Sequence, residues 1–168
     1  MNWRLTSGGA VLALATLGAS AMNSARAQTT VKHIQTAASP IATAVWAGDT
    51  LYVSGQLASP VTPADPAKGT PAVYGDTKAQ ASSEIQKIQA ILKEQGLTLG
   101  DVVMMHVYLA GDPAKEGKLD FAGLQAAYTQ FFGTADQPNK PARAAMQVAA
   151  LAAPWALVEI EVIAVRSK

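Results

Sequence analysis

Two stretches near the end of the chain decide how it folds: "ALVEIEVIAV", residues 156–165, and, before it, "PARAAMQVAAL", residues 141–151. The first reads as a strand that is apolar on both faces except at Glu159 and Glu161. Side chains alternate along a strand, so these two acids share one face. Buried carboxylates are costly unless partnered. Two readings follow: an edge strand with a solvated face, or a site where one acid handles water and the other pairs with a cation. In the second stretch Pro141 ends a loop, which puts Arg143 at or just before a strand start. Arg143 is either a structural partner of Glu159 or Glu161 (or a loop cap), or an anchor for a small organic acid, since a guanidinium's planar fork matches a carboxylate.

Working outward, "DVVMMHVYLAG" (101–111) is another two-sided apolar strand. Its alternation predicts Val103, Met105, Val107 and Leu109 on one side and Val102, Met104, His106 and Tyr108 on the other. "TVKHIQT" (30–36) and "ATAVWAGDTLYVSGQ" (42–56) add strands, the latter turning at Ala47-Gly48-Asp49. A helix starts near Asp76 or Thr77, where Thr77-x-x-Gln80 fits a capping box, and stops at Gly96. A second helix spans 119–133, capped by Asp120 and stopped by Gly133. Strands at 144–149 and 157–165 close the domain. Strands, helix, strand, helix, strands is the order of an α+β fold with two helices on one sheet face. The other face is also apolar, which predicts burial against a second subunit. Between the strands and the first helix, Ala58–Gly75 is a long loop holding four Pro and two Gly.

The first residues belong to something else. Arg4, the apolar run Ala10–Leu17 and Ala25-Arg26-Ala27 fit a secretory signal peptide over 1–27, leaving a domain over 28–168. The run is shorter than the roughly 20 apolar residues that span a bilayer. The expectation is a periplasmic or secreted protein with no membrane association after cleavage. Removing 1–27 takes away Arg4 and Arg26 and no acid, turning a formal charge of +1 into −1. That is not the basic footprint of a nucleic-acid binder. There is no Cys, so neither disulfides nor thiol chemistry are available.

Four further residues bear on chemistry. His106 and His33 are the only two His, and they are not spaced as metal ligands, so no metal is expected. His106 either touches a ligand or lies at a subunit contact. Ser54 and Gly55 end a strand; Gly55 would let another group approach the backbone closely, and Ser54 could hydrogen-bond a ligand. No nucleophile elbow or phosphate loop is present.

"GDTLYVSGQ", "DVVMMHVYLAG", "DFAGLQAAYTQFFG" and the closing "PARAAMQVAAL…VEIEVIAV" together resemble, in order and spacing, the RidA/YjgF family of reactive intermediate deaminases, over about residues 31–166. The resemblance implies a chorismate-mutase-like α+β fold with a mixed β-sheet, assembled as a homotrimer with clefts between subunits. It implies that Arg143 binds the carboxylate of an imine or enamine acid such as 2-aminoacrylate or 2-iminobutyrate. Glu159 would hold the attacking water, and the backbone at Ala145 would line the cleft. Together with the residues' own reading, this gives Arg143, Ala145, Ile41, Ser54, Gly55 and His106 as the expected substrate contacts. The implied reaction hydrolyses C=N to a 2-keto acid and ammonia without metal or organic cofactor.

The chain departs from the family at Ser39-Pro40-Ile41, where active members carry Gly-Pro-Tyr, so Ile41 brings an alkyl group where a hydroxyl is usual. Gln147 stands where a Glu is common, and the loops 58–75 and 110–119 are long. Two readings result: a deaminase of the 2-iminobutanoate/2-iminopropanoate type, or a non-catalytic trimer of the same fold that binds small carboxylates. The ribonuclease activity also attached to the family fits poorly with a charge of −1.

Overall fold

The computed structural model describes residues 29–167; the expected signal peptide lies outside them. Eight elements follow in order: β1 (Val31–Ile34), β2 (Ala44–Ala47), β3 (Thr50–Gln56), α1 (Thr77–Glu94), β4 (Val102–Leu109), α2 (Phe121–Tyr128), β5 (Ala142–Gln147) and β6 (Val158–Val165). One-turn 3-10 helices sit at Leu99–Asp101 and Pro113–Lys115. The strands form one six-stranded sheet in the order β1-β2-β3-β6-β4-β5. Every pairing is antiparallel except β4 with β5, so the sheet is mixed, as expected.

The two helices pack on each other and on one face of the sheet. β6 shows why: Val158, Ile160, Val162 and Ala164 are buried under them, while Glu159, Glu161, Ile163 and Val165 face the other way and are only half-buried. α1 answers with Ile85, Ile88 and Leu92, all fully buried, each worth about 1.5–3 kcal/mol relative to exposure. Gly48 makes the β2–β3 turn with a positive φ of 62°, a conformation that suits glycine. Among the described residues no helix is long and apolar enough to cross a membrane.

Several expectations need correcting. The cap of α1 is Asp76, whose side chain accepts from the Ala79 amide, not a box between Thr77 and Gln80. Gln80 turns inward instead: its amide donates to the Gly75 and Trp155 carbonyls and accepts from the Leu157 amide. The alternation in β4 breaks at its start. A register shift between Val102 and Met104 lets Val102 join the core and leaves Val103 exposed, because one bulged residue flips the phase of those before it. The second helix is shorter than predicted, ending at Tyr128, with turns carrying the chain to Gly133. Finally, β5 begins at Ala142 and ends at Gln147, so Arg143 lies inside the strand and not at or before its start.

Candidate active site

The proposed site residues fall into two groups on opposite faces of the sheet. Arg143 pairs in register with Met105, a buried core residue on the helix side. Cross-strand partners share a face, so the Arg143 side chain runs under α2. There Nη2 donates to Gln125 Oε1 at 2.7 Å. The guanidinium carbon lies 4.4 Å from the Tyr128 ring centroid and 5.8 Å from that of Phe121. Phe121, Gln125 and Tyr128 follow a helical i, i+4, i+7 spacing, so one stripe of α2 forms the whole cradle. Burial raises the Tyr128 phenol above its ordinary pKa, partly offset by the nearby guanidinium.

No acid pairs with Arg143 among the described residues, so the reading of a structural ion pair with Glu159 or Glu161 does not hold. One nitrogen, Nη1, is buried and has no hydrogen-bond partner. A buried cationic donor left open in this way favours an incoming anion. Ala145 shares the helix face with Arg143 and packs against the core beside Val107. Because β5 is the last strand of the sheet, its outer backbone edge is unpaired in the single chain.

Glu159 lies on the other face, opposite Tyr108 in the register. Burial first, and the charge of Glu161 second, raise its carboxyl pKa above the ordinary value. No hydrogen bond to the Glu159 carboxylate forms among the described residues. The space around it is supplied by Gly55: a Cβ there would overlap Glu159 Oε1. A register shift in β3 between Val53 and Gln56, opposite β6, brings Gly55 into this position. The close approach expected at Gly55 is therefore to the Glu159 carboxylate. Ser54 donates its hydroxyl to the Ala42 carbonyl at 2.7 Å and so tethers the segment that carries Ile41. Ile41 itself is 61% exposed.

Glu161 is the partnered acid of the two. One of its oxygens, Oε1, lies 3.0 Å from His106 Nδ1 and accepts from the Tyr108 hydroxyl at 3.2 Å. The same carboxylate, after burial, pushes the Tyr108 phenol up. Among the described residues no group of three or more His, Asp or Glu is arranged to hold a metal ion. Ser54, Gly55, Glu159, Glu161 and His106 thus share one neighbourhood, and Arg143 and Ala145 another.

Sequence reasoning missed Gln125, Phe121 and Tyr128 as the holders of Arg143, although their helical spacing was visible. It also missed the role of Gln147. That amide accepts from the Leu119 amide at 3.0 Å and donates to the Gly117 carbonyl at 2.9 Å, pinning the 110–119 loop. An ionised Glu could not donate the second bond.

This fold and these signatures define a known class. The sequence profile of the family described as Endoribonuclease L-PSP matches residues 30–166. A RutC family protein of Pyrococcus abyssi is 38% identical over 125 residues, covering 74% of this chain and 85% of the relative. A protein of Salmonella typhimurium named 2-iminobutanoate/2-iminopropanoate deaminase is 36% identical over 119 residues, or 71% of this chain and 81% of its own. Among solved structures, Escherichia coli TdcF with bound serine superposes with a TM-score of 0.61 at 33% identity, covering 81% of this chain and 99% of TdcF. The chain belongs to the RidA/YjgF family, with that family's α+β fold.

Proposed function

We propose that the protein hydrolyses small 2-imino and enamino acids to 2-keto acids and ammonia, in clefts between the subunits of a homotrimer. The observation that carries this reading is the buried, open Nη1 of a half-buried Arg143, held by a neutral amide and two aromatic rings. Such a cation suits the carboxylate of a small acid. The name of the Salmonella relative gives the reaction class, and serine in the TdcF structure is a carboxylate-bearing ligand of the size implied.

Water would be held by Glu159, whose open oxygens can take a proton as the water oxygen bonds to the imine carbon. The C=N electron pair moves to nitrogen. That proton goes from Glu159 to the nitrogen, giving a tetrahedral amino alcohol. Glu159 then takes the proton of the new hydroxyl as C=O forms and delivers it to the nitrogen as the C–N bond breaks and ammonia leaves. Arg143 and Glu159 face opposite sides of one sheet, so a shared site needs Arg143 from one copy and Glu159 from another. The unpaired edge of β5 and the half-buried outer sheet face, with Tyr52 and Met146 exposed, give copies surfaces on which to meet.

The test is ammonia release from freshly generated 2-iminobutyrate by the 28–168 chain. Acceleration over buffer that is lost in Arg143→Ala supports the reading; no acceleration by the wild type defeats it. Ile41 favours a second reading, a trimer that binds small carboxylates without turnover. Calorimetry showing Arg143-dependent binding of 2-keto acids with no ammonia release would select it. Export follows from Ala25-Arg26-Ala27 as a further proposal, tested by N-terminal sequencing of the cell-envelope protein, where Gln28 should come first.

A further inference from the structure

The β3 bulge that brings Gly55 against Glu159 has no regular ladder holding it on the β6 side. Ser54 and Gly55 stand between Val53 and Gln56, while Glu161 alone stands between their partners Val162 and Ile160. A bulge leaves its extra residue outside the ladder, so other bonds must fix where that residue lies. Before the bulge, the Ser54 amide donates to the Thr43 carbonyl at 3.1 Å and its hydroxyl to the Ala42 carbonyl at 2.7 Å. At the bulge, the Gln56 side-chain amide folds back and donates to the Ser54 carbonyl at 2.8 Å and the Gly55 carbonyl at 3.3 Å. Just after it, the Lys87 ammonium of α1 donates to the Leu57 carbonyl at 2.7 Å.

A charge is not needed merely to hold a loop on this helix. One turn earlier the neutral Ser83 hydroxyl does so, accepting from the Ser59 amide at 3.0 Å. Nor is Lys87 paired with Glu84, although i and i+3 is a common spacing for a helical ion pair. Glu84 is fully buried, and its carboxyl oxygens have no hydrogen-bond partner. Burial first, then the charge of Glu159, push its pKa up to about 10, so it is uncharged at neutral pH. The ammonium is left to the Leu57 carbonyl. A charge-assisted hydrogen bond is roughly twice as strong as a neutral one, and this one sits two residues from Gly55. The charged group acting on Glu159 itself is Glu161, so Lys87 reaches Glu159 through the backbone.

We propose that Lys87, together with Gln56, is a positioning residue for Glu159: the two lock the β3 bulge so that the Gly55 backbone forms a fixed wall for the carboxylate. This rests on the reading of Glu159 as the water-holding group. The Glu159 carboxylate accepts no hydrogen bond among the described residues, so shape sets its place, and Gly55 supplies that shape. Slack in the bulge moves the wall and releases the carboxylate. The substrate anchor is spared, because Arg143 lies on the opposite face of the sheet.

Three variants test the lock. Lys87→Met keeps the stem and removes the donor, Lys87→Arg restores a donor, and Gln56→Ala frees the two bulge carbonyls. On 2-iminobutyrate, kcat should fall roughly 10- to 100-fold in Lys87→Met and in Gln56→Ala, the larger figure corresponding to a misplacement of about 1 Å. KM should stay within about twofold, since ground-state binding is untouched, and Lys87→Arg should recover most of the loss. NMR titration of the Glu159 carboxyl carbon gives a readout that needs no turnover. Its midpoint, raised by burial in the wild type, should move down toward that of an ordinary Glu in Lys87→Met and Gln56→Ala. An unchanged kcat overturns the proposal. So does a joint loss of kcat and KM that Lys87→Arg fails to repair. If Lys87→Met does not fold, Gln56→Ala decides by the same split. A wild type inert on 2-iminobutyrate would instead defeat the deaminase reading, and the Glu159 midpoint then decides alone: no shift in either variant overturns the lock.

Discussion

Gly55 gives its side-chain space to the Glu159 carboxylate: a Cβ built on Gly55 would overlap Glu159 Oε1. The atom in the way is the end of a flexible side chain, so Gly55→Ala is expected to cost little stability, under about 1 kcal/mol. The displaced carboxylate should nonetheless lose its hold on water, and misplacement of about 1 Å at a reacting group can cost about 10²-fold. Thermal unfolding and ammonia release on the same preparation check this. A large fall in Tm with activity retained would show that Gly55 serves the strand and not the acid.

Arg143 is held by geometry that a Lys cannot reproduce. Its fork spans Gln125 on one nitrogen and leaves another open, while its central carbon lies over the Tyr128 ring. Arg143→Lys keeps the charge and loses the fork, and should raise KM for an imino acid by roughly 30-fold, equivalent to about 2 kcal/mol for a charge-assisted hydrogen bond. Gln125→Ala removes only the tether and should cost roughly fivefold, about 1 kcal/mol. Steady-state kinetics of both variants measure the difference. Equal effects would mean that position, not the planar group, is what matters.

Much of this was legible in the sequence because the signals were periodic. The two-sided apolar runs at 102–109 and 158–165 gave both strands, and the positions of Gly48, Asp120 and Gly96 marked turn, cap and stop. The failures have local causes. A bulge cannot be seen in an apolar run such as Val102-Val103-Met104, because each phase of the alternation is equally hydrophobic. Competing caps of similar chemistry, Asp76 and Thr77, hid which of the two side chains caps α1. The face carrying Arg143 depends on its register against Met105 in the parallel β4–β5 pair, and that register is set by contacts far apart in sequence.

Two carboxyls raised above their ordinary pKa give two pH dependences. Glu159 must be ionised to take a proton from water, so activity should fall on acidification at a higher pH than an ordinary Glu would dictate, because burial and Glu161 raise its pKa. Glu84 acts on stability. Its proton is bound in the folded chain up to pH about 10 and lost in the unfolded chain above the ordinary value of 4.5. The unfolded state therefore binds fewer protons across that window. The Glu84 contribution is fully present below it and is lost as pH rises, with a slope of at most about 1.4 kcal/mol per pH unit. Urea midpoints measured across the window should decline with pH in the wild type and flatten in Glu84→Gln. Parallel curves would mean that Glu84 is ionised or solvated in the folded protein.

If each site takes Arg143 from one copy and Glu159 from another, two inactive variants should rescue each other. Arg143→Ala lacks the anchor but keeps Glu159; Glu159→Gln keeps the anchor and lacks the base. In a trimer refolded from an equal mixture, an interface is intact when its Arg donor is the Glu159→Gln chain and its Glu donor the Arg143→Ala chain. Random assembly makes that true at roughly a quarter of interfaces, so about a quarter of wild-type activity should return. Separate variants mixed without refolding should stay inactive as long as subunits do not exchange. Complementation cannot arise if both residues serve within a single chain, because every chain in the mixture then lacks one of them. The opposite faces of Arg143 and Glu159 on the one sheet make the first outcome the expected one.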